Sequence, residues 1–164
     1  MKSSLKIIDE NLLAELSQQA ALNPRLRQNY NLHETLDDPC QRVINAVVPG
    51  SYIRPHRHLL TPKPELFVAI SGKVALLIFS NTGDMDKAYI LGTASPVRAV
   101  DVPVGVWHTA ISLEKGAVFL EVKPGPYVPV SASDFAPWAP EPETPEAVVY
   151  LQKLEDALRD YKRF

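Results

Sequence analysis

Cysteine is nearly missing from this sequence. The 164 residues contain one, Cys40, which excludes an intramolecular disulfide framework. Charge of one sign is missing too: the formal net charge is −2, so no strong field draws the chain to nucleic acid or an anionic membrane. No stretch is long and apolar enough for a membrane span. The opening MKSSLKIIDENLLAEL has neither an uninterrupted apolar run nor a small-residue cleavage site, so a cytoplasmic protein is expected. No repeat of solenoid or propeller period occurs. No helix-turn-helix pattern or basic stripe occurs either, which disfavours a DNA-binding regulator and leaves nucleic acid and membrane outside the expected partners.

What is present is an ordinary globular composition, 46% hydrophobic and 22% charged, in a length that suits one domain. Cys40 is expected as a buried thiol. Ile8, Leu12, Leu13, Leu16 and Ala20 recur at helical spacing within residues 4–22, with Asn23-Pro24 as the stop. Residues 25–40 are polar and without clean period, and read as a structured loop. From Gln41 to Lys123 the pattern changes to short β-branched and apolar runs at 41–48, 51–58, 65–71, 74–80, 87–92, 97–102, 107–113 and 116–123. Closely spaced strands without helices between them predict an antiparallel sandwich or barrel. Many of the 15 prolines fall in residues 124–145, where Tyr127, Phe135 and Trp138 argue for a segment wrapped on the barrel. A C-terminal helix is expected over 145–162, with Thr144 as N-cap and Val148, Leu151, Leu154 and Leu158 as its apolar stripe. The expected organisation is therefore one domain. Residues 1–40 form a helix and polar loop on the barrel, 41–123 the barrel, and 124–164 the wrap and last helix.

Three of the four histidines stand where metal chemistry would use them. His56 and His58 are two apart in a strand-like run, so both imidazoles face one way. Glu65 follows a proline-bounded loop, and His108 follows the turn Pro103-Val104-Gly105-Val106-Trp107. Taken alone, a His-x-His pair also fits surface or hydrogen-bonded histidines. By the same parity, Arg54 and Tyr52 face inward with the pair, Phe67 and Ala69 with Glu65, and Ala110 and Ser112 with His108. An inward Arg54 would favour an anionic ligand group; at the barrel rim it would be merely solvated. Tyr30 and His33 lie in the polar segment, which is placed either to close over the barrel mouth as ligand contacts or to be ordinary loop. Lys63 reads as a solvated lysine, and Glu121 with Lys123 as a simple ion pair.

The run Gly50-SYIRP-His56-Arg57-His58-LLTPKP-Glu65-LFVAIS-Gly72 resembles the first motif of the cupin superfamily, and Pro103-Val104-Gly105-Val106-Trp107-His108 resembles the second, with Ser112 where that motif carries asparagine. The stretches QNYNLHE, QRVINAVVPGSYIRPHRH, KPELFVAISGKVALLIF, PVGVWHT, EVKPGPY and DFAPWAP further resemble the WbuC-type cupin metalloproteins of O-antigen gene clusters. The resemblance implies an all-β fold, the cupin double-stranded β-helix or jelly-roll barrel, here with an N-terminal and a C-terminal helix. It implies one divalent metal ion (Fe, Zn, Mn, Ni or Co) held by His56, His58, Glu65 and His108. It also implies a homodimer and a place near surface polysaccharide synthesis. The expected function is a metal-dependent enzyme, isomerase- or epimerase-like, acting on a small polar or anionic sugar or nucleotide-sugar. A metal-dependent dioxygenase and a non-enzymatic ligand-binding cupin are the alternatives.

Overall fold

A computed structural model of the chain describes residues 5–161. Helix α1 (Glu10–Leu22) is followed by β1 (Arg27–Asn31), β2 (Cys40–Val47), β3 (Glu65–Ser71), β4 (Lys73–Phe79), β5 (Met85–Gly92), β6 (Ala99–Val102), β7 (Trp107–Ser112) and β8 (Ala117–Pro124). A short 3-10 turn (Ala132–Asp134) and helix α2 (Pro145–Tyr161) complete the chain. The strands form two antiparallel sheets, ordered β1-β2-β8-β3-β6 and β5-β4-β7. Chain neighbours in sequence often lie in different sheets, as a jelly roll requires.

The strand sequences explain the layering. Alternation on β4 sends Val74 and Leu76 between the sheets, where they meet Val47, Phe67, Val102 and Phe119. Ala75, Leu77 and Phe79 point the other way, onto Leu151, Leu154 and Leu158 of α2. A strand buried on both faces must be apolar throughout, which is why KVALLIF reads as a continuous hydrophobic run. The larger sheet is covered likewise: Leu13, Leu16 and Ala20 of α1 pack on Ile44, Ala46 and Val118. Each buried leucine contributes roughly 1.5–3 kcal/mol, so the two helices hold the barrel shut from outside.

Both helices start as capped amphipathic segments should. The Asp9 carboxylate accepts the Leu12 amide (3.0 Å), and Thr144 Oγ1 accepts that of Ala147 (3.2 Å). The first helix begins at Glu10 rather than near residue 4, which lies outside the described residues, as does residue 162 at the expected end of the second. Four further expectations are corrected. Within the supposed loop 25–40, residues 27–31 form β1, paired from Arg27↔Val47 to Asn31↔Val43. It is an edge strand held by backbone bonds, so its polar side chains left no alternation to read. Residues 51–58 are not a regular strand; there only His56 forms bridges, to His108 and to Phe135. Pro55 has no amide to donate, and the parity count from His56 back to Tyr52 fails with it. The strand expected at 97–102 is confined to Ala99–Val102. Cys40 is exposed rather than buried.

The proline-rich segment lies on the barrel. Phe135 pairs with His56, and Trp138 meets Trp107 edge-on at 5.1 Å between ring centres. Tyr127 stays 47% exposed, so it is not part of that packing.

Gly72 makes the corner between β3 and β4. Its φ is +61°, and a β-carbon there would sit 2.9 Å from the Ala117 Cα. Gly72→Ala is expected to destabilise the fold by at least about 1–2 kcal/mol, the cost of left-handed backbone alone. The expected readout is a lower urea midpoint, and an unchanged midpoint would refute it.

Candidate metal centre

His56, His58, Glu65 and His108 come together at one end of the space between the sheets. One ligand atom from each lies within 4.8 Å of all the others. Three different local structures deliver them. Glu65 opens β3 and His108 is the second residue of β7. His56 is tied to β7 by reciprocal backbone bonds, His56 N–H to His108 O (3.0 Å) and His108 N–H to His56 O (2.9 Å). The loop that follows is pinned by Asp134, whose carboxylate accepts the amides of Leu59 (3.1 Å) and Leu60 (3.0 Å). Gly105, at φ +79°, turns the chain before His108 and donates its amide to the His58 carbonyl (3.2 Å). The two motif segments are thereby joined by backbone as well as by side chains.

The imidazoles are oriented for an ion. Nδ1–H of His56 donates to the Arg54 carbonyl (3.0 Å), and Nδ1–H of His108 to the Val106 carbonyl (2.9 Å). Each such bond leaves the Nε2 lone pair free, the form in which a histidine ligates. His58 Nε2 stands 3.1 Å from Glu65 Oε1, and His108 Nε2 stands 2.9 Å from Oε2. These approaches are close but misaligned: His58 Nε2, His108 Nε2 and Glu65 Oε2 are buried without a hydrogen-bond partner. Unpartnered buried polar atoms cost roughly 1–3 kcal/mol each, and their convergence within 4.8 Å fits a set of ligands for one cation. The donor set, three imidazoles and a carboxylate, suits a divalent transition metal.

The electrostatics agree. Burial, with His108 and His58 close by, lowers the His56 pKa to about 3 and keeps it neutral. Burial opposes the charge on Glu65, but contacts with His108, His58 and Lys123 outweigh it and hold the carboxyl well below its usual range. Lys123 Nζ bridges Glu65 Oε1 (2.8 Å) and Glu121 Oε1 (2.7 Å). Burial works against its charge too, yet Glu121 and Glu65 together raise its pKa. Lys63 is buried and donates to the Pro126 carbonyl, with its pKa lowered first by burial and then by Lys123. It is not the solvated lysine expected from its loop position.

Of the other sequence-predicted site residues, the structure brings Phe67 to the cluster, its ring 5.7 Å from His108. His33 is buried and, like Lys123, lines an adjoining cavity. Tyr52, Arg54 and Ser112 lie elsewhere. Tyr52 donates to the Pro140 carbonyl (2.9 Å) and packs edge-on against Tyr150 of α2. Arg54 pairs with Glu141 and lies over the Phe135 ring, so its charge is answered by the wrap. Tyr30 packs against the α1 layer and also lines the cavity that holds His33. Ser112 shares a strand with His108 but donates to the carbonyls of Val47 (3.2 Å) and Glu114 (2.9 Å). Sequence reasoning passed over Lys63, Lys123, Glu121 and Asp134 as site residues. One usable signal was present, because Glu121 and Lys123 share the face of β8 on which Phe119 enters the core.

Comparison with known proteins follows the same lines. Residues 8–91 match the family described as a domain of unknown function (DUF6016), just over half of the chain. The chain belongs to the DUF6016 family. The matched part of this DUF6016 protein holds His33, His56, His58 and Glu65, and ends before His108. No curated protein matches it. Among solved structures, the TT1209 protein from Thermus thermophilus is 20% identical with a TM-score of 0.51, over 73% of this chain and 97% of that one. The conserved SPY1581 protein from Streptococcus pyogenes is 14% identical with a TM-score of 0.50, over 77% and 92%. A cupin-2 domain containing protein from Shewanella frigidimarina is 17% identical with a TM-score of 0.45, over 60% and 80%. At these identities the likeness to the first two is one of fold alone. Sheet topology and the ligand-bearing motifs make that fold a cupin jelly roll.

Acid should unfold the metal-free protein early. A histidine held neutral in the fold, with its pKa lowered from 6.5 to about 3, leaves the unfolded chain to take the extra proton below pH 6.5. Glu65, whose folded pKa is also lowered, acts in the same sense below pH 4.5. Stability is therefore expected to fall from pH 6.5 downwards, with a slope of up to about 1.4 kcal/mol per pH unit for each group. Urea midpoints at pH 7 and pH 5 measure this, and equal midpoints would refute it.

Proposed function

We propose that this protein is a metal-dependent cupin enzyme acting on a small polar molecule, with His56, His58, Glu65 and His108 as the metal ligands. The observation that carries the reading is the convergence of buried donor atoms left without hydrogen-bond partners. A bound divalent ion supplies a Lewis acid able to polarise a carbonyl or hydroxyl oxygen. The chain's own residues do the rest. The carbonyls of Arg54 and Val106 fix two imidazoles in the ligating form. Lys123 balances the carboxylate of Glu65. Phe67 walls the cluster on the core side and keeps water from it. His56 is the least buried of the four.

An isomerase- or epimerase-like reaction on a sugar or nucleotide-sugar is the chemistry we assign. Its support is the Lewis-acid centre that these ligands would form, and the likeness of segments such as QNYNLHE and KPELFVAISGKVALLIF to the WbuC-type cupins. Arg54 supports no anion-binding role, since Glu141 already neutralises it.

Protein purified without chelator or nickel resin is expected to carry about one equivalent of a first-row divalent metal, and His56→Ala or His108→Ala less than a tenth of that. Metal at a thousandfold excess over its Kd adds about 4 kcal/mol, so the loaded form should melt on the order of 10 °C higher than the chelated one. Elemental analysis and thermal melts read both. A wild-type protein that neither retains nor takes up metal would end the proposal. Oxygen uptake by the iron-loaded form would replace the isomerase by an oxygenase.

A further inference from the structure

A second polar space adjoins the ligand cluster. Strands β1, β2 and β8, with the segment after β1, line a cavity of about 470 Å³ that includes Tyr30, His33, Gln41, Glu121, Lys123 and Tyr127. Its size lies within the range of small-molecule sites, about 300–1,000 Å³. The Lys123–Glu65 contact of 2.8 Å joins its wall to the cluster.

The tautomer of His33 can be read from its partners. The Arg42 amide N–H donates to His33 Nδ1 (3.0 Å), so that nitrogen carries the lone pair and Nε2 carries the hydrogen. Nδ1 also lies 3.1 Å from the Arg42 carbonyl oxygen, but that oxygen already accepts the Leu32 amide (2.9 Å), and the shorter contact is the one from the Arg42 amide. His33 is 4% exposed, and its Nε2 has no hydrogen-bond partner. A buried N–H donor on a cavity wall is thus left without an acceptor. Lys123 has three donors and uses two, on Glu65 and Glu121. Glu121 brings acceptor oxygens beside them, one held by Lys123 and the other 3.4 Å from Asn45 Nδ2. Donor, donor and acceptor all line the one cavity.

We infer that this cavity binds a polyhydroxylated small molecule, whose hydroxyl oxygens accept from His33 and Lys123 and whose hydroxyl hydrogens are taken by Glu121. Only a group that both donates and accepts satisfies all three. An inorganic anion would meet the Glu121 carboxylate. An apolar ligand would leave the His33 N–H unpaired, at the cost that burial imposes. The inference rests on the function proposed above only for the end of the ligand that reaches the metal; the cavity wall stands without it.

Saturation-transfer NMR and titration with D-glucose, D-galactose, D-mannose and myo-inositol test this, on metal-loaded and on chelated protein. At least one polyol is expected to bind the wild type. Its affinity should fall about tenfold in Glu121→Gln and in His33→Leu, the loss of one hydrogen bond to a buried or charged partner. Circular dichroism and melting of each variant verify folding, and elemental analysis verifies that its metal content matches the wild type. Inorganic phosphate at equal concentration should not displace the polyol. The inference is overturned if no polyol binds either form, if folded variants bind as the wild type does, or if phosphate binds in its place. Failure to hold metal would instead defeat the metal reading, and the titration of the chelated protein would still decide the cavity.

Discussion

The pair of backbone hydrogen bonds between His56 and His108 is the constraint on which the site depends. It ties an irregular segment to the edge of the smaller sheet and brings two imidazoles to 4.7 Å between ring centres. The segment cannot hold its own position, because Pro55 lacks an amide and the residues around it form no ladder. The proline-rich wrap supplies what is missing from the other side. Ala136 donates to the Pro55 carbonyl (2.9 Å), and Arg57 donates to that of Asp134 (2.9 Å). Asp134, itself buried, then pins the loop beyond His58. The wrap is in this sense part of the metal centre, although no residue of it is a candidate ligand.

Charge is the second organising fact. Glu65, Lys123 and Glu121 lie against the apolar core of the barrel, joined by contacts of 2.7 and 2.8 Å. Burying an ion costs several kcal/mol even after relaxation, and pairing offsets that cost only when geometry is good. Leucines of the same volume would make a more stable core. Retaining the ions, with three donor atoms unpartnered, favours a site that is completed by something the chain does not itself provide. The same reasoning extends along β8 into the cavity that His33 closes.

Much of this was legible in the sequence, and particular residues show why. The apolar run of β4 and the cap at Thr144 are local, so that strand and the start of α2 could be read from neighbouring residues, whereas the start of α1 at the Asp9 cap was not. His56, His58, Glu65 and His108 were legible because turns and glycines punctuate them at recognisable spacing, with Gly72 and Gly105 at positions of positive φ. Strand β1 was not, because an edge strand is specified by its partner's backbone rather than by its own side chains. Tyr52 and Arg54 were misplaced because a two-residue period was extended through Pro55, where no ladder maintains it.

The sequence alone determined which elements form and which residue types are available as ligands, since propensity, capping and motif spacing act over a few neighbouring residues. Only the tertiary structure decided that Arg54 is answered by Glu141, 87 residues away, and that Lys123 serves Glu65 across 58. It also turned Lys63 and His33 from loop residues into buried ones. Burial and charge pairing depend on what packs opposite, and the side chains that meet in this barrel come from strands far apart in the chain.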